Sequence, residues 1–321
     1  MKKFLLISLA LGLAWQLGAQ PPFPPQGAPQ GAPRQAPQQL TLIKAALPEY
    51  WANPTGKYAV AVDDQTLPEH TLFYPKDLAS LKKNEKLPVF VMSGPGCDKT
   101  SSAFRAFFTE VASHGYMVII SGVLTEETVN TGILPKNTRD DLLAAMDWAS
   151  AETLRPGSPF YGKIDADNVC AGGQSCGGFQ ALSIMTDPRI KLINLFNSGL
   201  FAGNGRMSMG GASFESKEDA YKDLHVPIAY FVGDTDMARP NATDDFNYVG
   251  KNRAVLGVRE IPGDAHAGTF REMNGGAFAP ACVHWLDWNL KGIKKAAKYF
   301  KGKKAVMAND PKWIVFETKN L

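Results

Sequence analysis

Residues 172–178 read Gly-Gly-Gln-Ser-Cys-Gly-Gly, which places Ser175 in a G-x-S-x-G frame between Gly173 and Gly177. A sharp strand-to-helix turn that exposes a serine hydroxyl at its tip tolerates only small residues two places before and after the serine. Both of these positions are glycine. Because the chain has 30 glycines, an ordinary glycine-rich turn fits the same five residues, and the flanking sequence has to decide.

The flanking segments have the patterns of a strand and a helix. Ile164–Val169 leads into the turn as a short strand-like run, and Phe179–Met185 continues with apolar residues at helical spacing. Strand, turn and helix therefore follow in the order of a nucleophile elbow, with Ser175 as the nucleophile. In that arrangement an acid and then a histidine follow the serine along the chain.

His266 is the predicted general base. Of the five histidines, His70 and His114 precede the serine, His225 comes before the next strong strand pattern, and His284 lies inside a helical pattern. His266 follows a strand-like run in a short loop flanked by glycines, where its side chain can reach a neighbouring strand end. A structural loop histidine is the alternative.

Two aspartates compete for the role of the acid. The most convincing buried strand before the histidine, Pro227–Val232, runs into Gly-Asp-Thr-Asp at positions 233–236. The turn pattern Gly-x-x-Asp followed closely by proline favours Asp236, and Asp234 is expected to brace the turn. The serine would then attack an acyl carbon, the histidine would transfer the proton, and the ionised aspartate would orient the imidazole.

An acyl-transfer site also needs backbone donors for the oxyanion. The N–H of the residue after the nucleophile, Cys176, is one expected donor. The strand-like run Leu87–Met92 continues into Ser-Gly-Pro-Gly-Cys at positions 93–97, and a glycine-rich loop there can direct N–H groups inward. Cys97 is the favoured second donor, and Gly96 is the alternative.

The four cysteines allow three disulfide pairings. If Cys97 and Cys176 both contribute to the oxyanion hole, their Cα atoms lie near the range that a disulfide spans, so we predict a bridge between them. Two free thiols lining the site are the alternative. Cys170 and Cys282 fit two packed thiols at least as well as a second bridge.

The N-terminal residues indicate export. Met1–Ala19 has two lysines, an apolar core and a small-residue end, as in a secretory signal peptide. Residues 20–39 are rich in Pro and Gln and are predicted to be a disordered linker, and residues 40–321 suit a single α/β domain. No other run approaches the length of a membrane span, so we expect a periplasmic or secreted protein without a stable membrane anchor.

Strand and helix patterns alternate along this domain, which predicts a mostly parallel central sheet with helices on both faces. The stretch between Asn197 and Pro227 is too short for a large lid, so the site is expected to be open. The predicted strands lie near 58–62, 71–74, 87–92, 116–121, 164–169, 191–197, 227–232 and 254–261, with helices at 102–113, 139–152 and 179–185.

Composition and motifs exclude several classes of function. The formal charge of +3 gives no support for nucleic-acid binding, and no P-loop or dinucleotide fingerprint is present. No H-E-x-x-H or paired Cys/His spacing indicates a metal, and no cofactor is expected. Lysines collect between Lys291 and Lys304, where a solvated helix face is expected and adhesion to an anionic surface is the alternative.

Taken together, these motifs resemble the α/β-hydrolase superfamily from about Tyr58 to Lys298. The run Phe107–Tyr116 after a Gly-Pro-Gly loop is similar to the exported lidless serine esterases: polyester hydrolases and cutinases, platelet-activating-factor acetylhydrolases and dienelactone hydrolases. The resemblance implies an α/β-hydrolase fold without a large lid, and a catalytic triad of Ser175, Asp236 and His266.

The expected activity is hydrolysis of carboxylic esters, of small molecules or of polymers, through an acyl-enzyme. Polyester hydrolases usually carry His and Met around the nucleophile where this chain has Gln174 and Cys176, so cleavage of a polyester or of another polymer or amide is an alternative. A catalytically inactive binding module on the same fold is the alternative from another class.

Overall fold

The computed structural model describes residues 53–124, 135–201 and 205–321. All of them belong to the unit Leu40–Leu321. The predicted signal peptide, Met1–Ala19, and the predicted linker, 20–39, lie outside the described residues. None of the helices in the described part of the chain combines the length and apolarity needed to cross a bilayer.

A nine-stranded sheet forms the centre of the described structure, with neighbours in the order β1-β2-β4-β3-β5-β6-β9-β10-β11. The six strands from β4 to β10 in this order pair in parallel, whereas β1, β2 and β11 pair antiparallel with their neighbours. The predicted mostly parallel α/β sheet is thus confirmed. Its strands are β1 (Val60–Asp63), β2 (His70–Pro75), β3 (Leu87–Ser93), β4 (Met117–Ser121), β5 (Ile164–Gln174), β6 (Ile190–Phe196), β9 (Ile228–Gly233), β10 (Ala254–Arg259) and β11 (Trp313–Lys319).

Helices cover both faces of the sheet. In β3, Val89 and Val91 face the core that contains α2 and α3, and Phe90 and Met92 face the core that contains α1 and α6. Burial on both faces explains why the parallel strands read as continuous apolar runs. The helices are α1 (Arg105–Ser113), α2 (Arg139–Leu154), α3 (Cys176–Ser183), α4 (Lys217–Tyr221), α5 (Arg239–Asp245), α6 (Phe278–Asn289) and α7 (Val306–Asn309).

One predicted strand boundary was wrong, and one hairpin was not predicted. Strand β5 continues past Val169 to Gln174, because Gly172 and Gly173 still pair with β3. The stretch after β6 contains a hairpin of β7 (Met207–Met209) and β8 (Ala212–Phe214), which the sequence analysis did not predict.

The lysine-rich segment also differs from the prediction. Lys294–Tyr299 forms a 3-10 helix, with its lysines exposed as predicted. Lys291, by contrast, is largely enclosed: its Nζ donates to the carbonyl oxygen of His114 at 2.7 Å and lies 3.7 Å from the centre of the Tyr116 ring. Lys291 is therefore part of the packing between α1 and α6 and not part of a solvated helix face.

Candidate active site

Ser175 occupies the turn between β5 and α3, with a backbone φ of 54° and ψ of −119°. Residues other than glycine rarely adopt a positive φ, so this conformation stores strain that the surrounding packing must hold. A Cβ at Gly173 would collide with the backbone of Gly177, and a Cβ at Gly177 would collide with the carbonyl of Ser93. The two glycines of the G-x-S-x-G frame are thus required by close backbone approaches on both sides of the serine.

The three residues expected to form a triad lie in one hydrogen-bonded chain. His266 Nε2 is 3.0 Å from Ser175 Oγ, and His266 Nδ1 is 2.9 Å from Asp236 Oδ1. A carboxylate can only accept, so Nδ1 carries the proton, and Nε2 is left to accept the hydrogen bond from the serine hydroxyl. The imidazole is held in the tautomer that a general base for Ser175 requires.

Between the two candidate aspartates, the structure brings Asp236 to the histidine. The Asp236 side chain is fully buried, and its Oδ1 also accepts a hydrogen bond from the N–H of Ala238 at 2.7 Å. Asp234 instead accepts a hydrogen bond from the N–H of Ile261 at 3.1 Å. Asp234 therefore connects the β9 turn to the end of β10, which is the bracing position expected for it.

The electrostatics of the site favour protonation of His266. Its hydrogen bond to Asp236 raises the pKa of the imidazole above the usual histidine value; partial burial opposes this shift, and the charges of Asp236 and Asp264 add to it. A raised pKa makes the imidazole a stronger proton acceptor. It also means that the neutral, base-competent form is lost at a higher pH than in an isolated histidine.

Side-chain amides fix the loop that carries His266. Asn197 Nδ2 donates to the carbonyl oxygens of Ala265 and His266 at 3.1 and 2.9 Å, and Gln174 Nε2 donates to the same His266 oxygen at 2.9 Å. The carboxylate of Asp264 accepts from the His266 N–H at 3.1 Å. Asn197 also accepts from the N–H of Gly233 at 2.9 Å, so one buried amide connects the ends of β6 and β9 to the histidine loop.

The predicted disulfide is confirmed. Cys97 and Cys176 are bonded, with their Cα atoms 5.3 Å apart, and Cys170 and Cys282 are free and buried. Cys97 has a φ of 55° and follows Gly96, whose φ is 60°. The bridge holds this left-handed loop against the first residue of α3, where backbone N–H groups lack intrahelical acceptors.

The disulfide is packed beneath the β7–β8 hairpin. Gln180 Nε2 donates to the carbonyl oxygens of Asn137 and Gly210 at 2.8 and 2.9 Å and lies 3.2 Å from Cys97 Sγ. A side chain at Gly210 would collide with the Cys97 sulfur. Gln180 therefore connects the hairpin and the Cys97 loop to the helix that follows Ser175.

Two cavities flank His266. The first, of about 260 Å³, is lined by Ser175 and by mostly apolar surface, with Asn197, Ser198 and Asn241 as further polar lining residues. Its apolar lining includes Phe179, Phe201, Met209 and Met237. The second, of about 220 Å³, is not lined by Ser175. Its lining is partly apolar and partly polar and includes Pro95, Phe104, Gln174, Asp264, Phe270 and Arg271. The expected opening to solvent is consistent with the 77% exposure of Met237 at the first cavity.

Sequence reasoning missed the residues that support the site. Asn197 and Gln180 carry no motif of their own, although Asn197 stands at the carboxyl end of a predicted strand, as functional residues of parallel sheets often do. Among the described residues, no three His, Cys, Asp or Glu side chains are grouped closely enough to hold a metal ion.

Comparison with known proteins gives no further guide. No protein-family model matches the chain, and no curated protein is significantly similar to it.

Proposed function

We propose that this protein is an exported serine hydrolase of the α/β-hydrolase superfamily that cleaves carboxylic esters. The observation that carries the proposal is the chain Ser175–His266–Asp236, with contacts of 3.0 and 2.9 Å, built on a strained serine between a strand and a helix. The chain order serine, aspartate, histidine is the order of that superfamily, and the mostly parallel sheet is compatible with its fold. The disulfide is typical of proteins that leave the reducing cytosol.

In the first half of the reaction, Ser175 Oγ forms a bond to the acyl carbon while its proton passes to His266 Nε2. The carbonyl oxygen becomes an oxyanion, for which the backbone N–H groups of Cys176 and of Cys97, or alternatively Gly96, are the proposed donors. When the intermediate collapses, the bond to the alcohol oxygen breaks, and Nε2 returns the proton to that oxygen. The alcohol leaves, and the acyl group remains on the serine.

In the second half of the reaction, water enters the site and takes the place that the alcohol has left. His266 Nε2 removes a proton from water as its oxygen bonds to the acyl carbon, and the oxyanion forms again. Collapse breaks the bond to Ser175 Oγ, which recovers its proton from Nε2, and the carboxylic acid leaves. Throughout, Asp236 stays ionised, orients the ring and stabilises the imidazolium.

The test is hydrolysis of p-nitrophenyl esters by the mature protein, with covalent labelling by a fluorophosphonate and identification of the labelled residue. We expect turnover and labelling at Ser175, and loss of turnover in Ser175→Ala and His266→Ala. A well-folded wild-type protein that neither hydrolyses any ester nor reacts with the label would contradict the proposal and favour a binding module. Turnover that survives in Ser175→Ala would assign the activity to another residue.

A further inference from the structure

The two cavities beside His266 differ in one respect that assigns them to different parts of an ester. Only the first cavity is lined by Ser175 as well as by His266. If the proposed function holds, the acyl group becomes covalently attached to Ser175 Oγ and must lie in a space that the serine lines. The alcohol needs only to reach His266, which protonates it, so the second cavity is available for the alcohol.

The lining of the first cavity determines which acyl groups it favours. Phe179 and Phe201 lie with their ring centres 5.0 Å apart, and Met209 and Met237 add to the apolar surface that makes up most of the lining. Phe201 is 43% exposed and Met237 is 77% exposed, so the apolar surface continues from the cavity to its mouth. Each methylene group of a bound acyl chain that this surface removes from water stabilises the complex.

The wall of this cavity is held in place by a buried ion pair. The backbone segment Gly199–Phe201 lies against α5, where Asp245 Oδ2 accepts a hydrogen bond from the N–H of Leu200 at 2.7 Å. Asp245 Oδ1 in turn lies 2.7 Å from Lys217 Nζ, and both side chains are almost completely buried. A side chain at Gly199 would collide with the α5 backbone. Backbone contact and charge therefore both hold this side of the cavity in place.

We infer that the substrate is an ester of an apolar acyl chain of medium length, bound in the cavity against Phe179, Phe201, Met209 and Met237. An apolar protein cavity of about 150 Å³ holds the six carbons of benzene, so the 260 Å³ of this cavity has room for a chain of about eight of the bulkier methylene carbons. The alcohol group extends past His266 into the second cavity, whose rim carries both Asp264 and Arg271.

The experiment is a series of p-nitrophenyl esters from acetate to dodecanoate, each kept below the concentration at which it aggregates. We expect kcat/KM to rise up to about fourfold per methylene as far as about eight carbons, and then to stop rising. A profile that is flat, or that falls from acetate onward, would overturn this inference while leaving esterase activity in place. Absence of turnover along the whole series would instead contradict the proposed function.

Two variants locate the effect in this cavity. Met209→Trp fills the cavity, so the chain length at which kcat/KM stops rising is expected to shorten by at least two carbons. Met273→Trp is the matched control, because Met273 is 66% exposed and lines neither cavity. Its profile should equal that of the wild type.

Fluorophosphonate labelling of Ser175 checks that Met209→Trp retains a folded site. If it does not fold, Met237→Ser replaces it and is expected to reduce the gain per methylene for the longer esters. An unchanged length profile in a variant that still labels would overturn the assignment of the cavity.

Discussion

Two loops meet at Ser175, and they are held by different kinds of bond. The Cys97 loop is attached covalently to the start of α3 by the disulfide. The His266 loop is attached by hydrogen bonds from the amides of Asn197 and Gln174, and the carboxylate of Asp264 braces it from within. A covalent bond restrains the loop in the folded and the unfolded chain alike, whereas hydrogen bonds act only when the tertiary structure is complete.

Because one loop is held by a disulfide and the other by hydrogen bonds, the two sides of the site should respond to different solution conditions. The Cys97 side depends on the redox state of one bond. The His266 side depends on pH and on buried amides that have no charge of their own. Perturbing one side while measuring the other therefore tests whether the two loops contribute separately to the proposed reaction.

The largest expected loss of kcat comes from substituting Asp236, the aspartate that contacts His266. Asp236→Asn removes the negative charge and allows the wrong imidazole tautomer, a change that lowers kcat by about 10⁴-fold in serine proteases. Asp234→Asn is the matched control, because its side-chain oxygen still accepts the N–H of Ile261. We expect kcat of the control to fall less than tenfold in ester hydrolysis. Equal losses in both variants would contradict the assignment of Asp236.

Breaking the Cys97 side should have the next largest effect. In the double variant Cys97→Ser/Cys176→Ser, or after reduction, the Cys97 loop is released, and kcat is expected to fall about 10²- to 10³-fold, as when an oxyanion donor is lost. The bond closes a separation of 79 residues, so the free energy of unfolding should fall by about 4 kcal/mol.

The free thiols provide the control for this experiment. Cys170→Ala/Cys282→Ala removes both buried thiols and keeps the bridge. Its activity should match that of the wild type and should remain sensitive to reductant. If the reduced wild-type protein keeps full kcat, the bridge serves stability alone.

A smaller loss is expected when an amide of the His266 side is truncated. Asn197→Ala removes donors to two carbonyls and the acceptor for Gly233, so kcat should fall about 10- to 100-fold as the histidine shifts. Stability should fall by about 1–3 kcal/mol. Asn252→Ala is the matched control, because Asn252 also donates to two backbone carbonyls but lies away from the site. In Asn252→Ala, the free energy of unfolding should fall while kcat stays unchanged.

The smallest change is a displacement of the pH profile. Because the pKa of His266 is raised, kcat/KM should begin to fall at a pH above the ordinary histidine value, and by about tenfold for each further unit of acidification. Reducing the disulfide should leave this acid limb in place, and Asp236→Asn should move it to lower pH. An acid limb at or below the ordinary histidine value would contradict the electrostatic role given to Asp236.

The sequence was sufficient for the features that depend on local pattern. The alternation of apolar runs predicted the parallel sheet, since strands buried on both faces must be apolar throughout. The spacing of Gly173, Ser175 and Gly177 predicted the turn, because a sharp turn between a strand and a helix excludes a Cβ at both flanking positions. Chain order then excluded His70 and His114, and the local patterns around His225 and His284 favoured His266 as the base.

Features that depend on contacts between residues distant in sequence could not be predicted from local sequence patterns. The pattern left Asp234 and Asp236 as rivals two residues apart, and only the position of the His266 loop determined which of them contacts the imidazole. The β7–β8 hairpin was missed because its two three-residue strands are too short for a periodic pattern.

By itself, the sequence determined the mostly parallel sheet and the position of the serine turn, and it predicted the pairing of Cys97 with Cys176 on the condition that both cysteines lie at one site. Only the tertiary structure decided how the site is supported. Asn197, Gln180 and the Lys217–Asp245 pair act across 28 to 83 residues of sequence, on partners that no local pattern identifies. The physical reason is that a buried amide or charge is stable only where the folded chain supplies its partners, and those partners come from loops and helices that are distant in sequence.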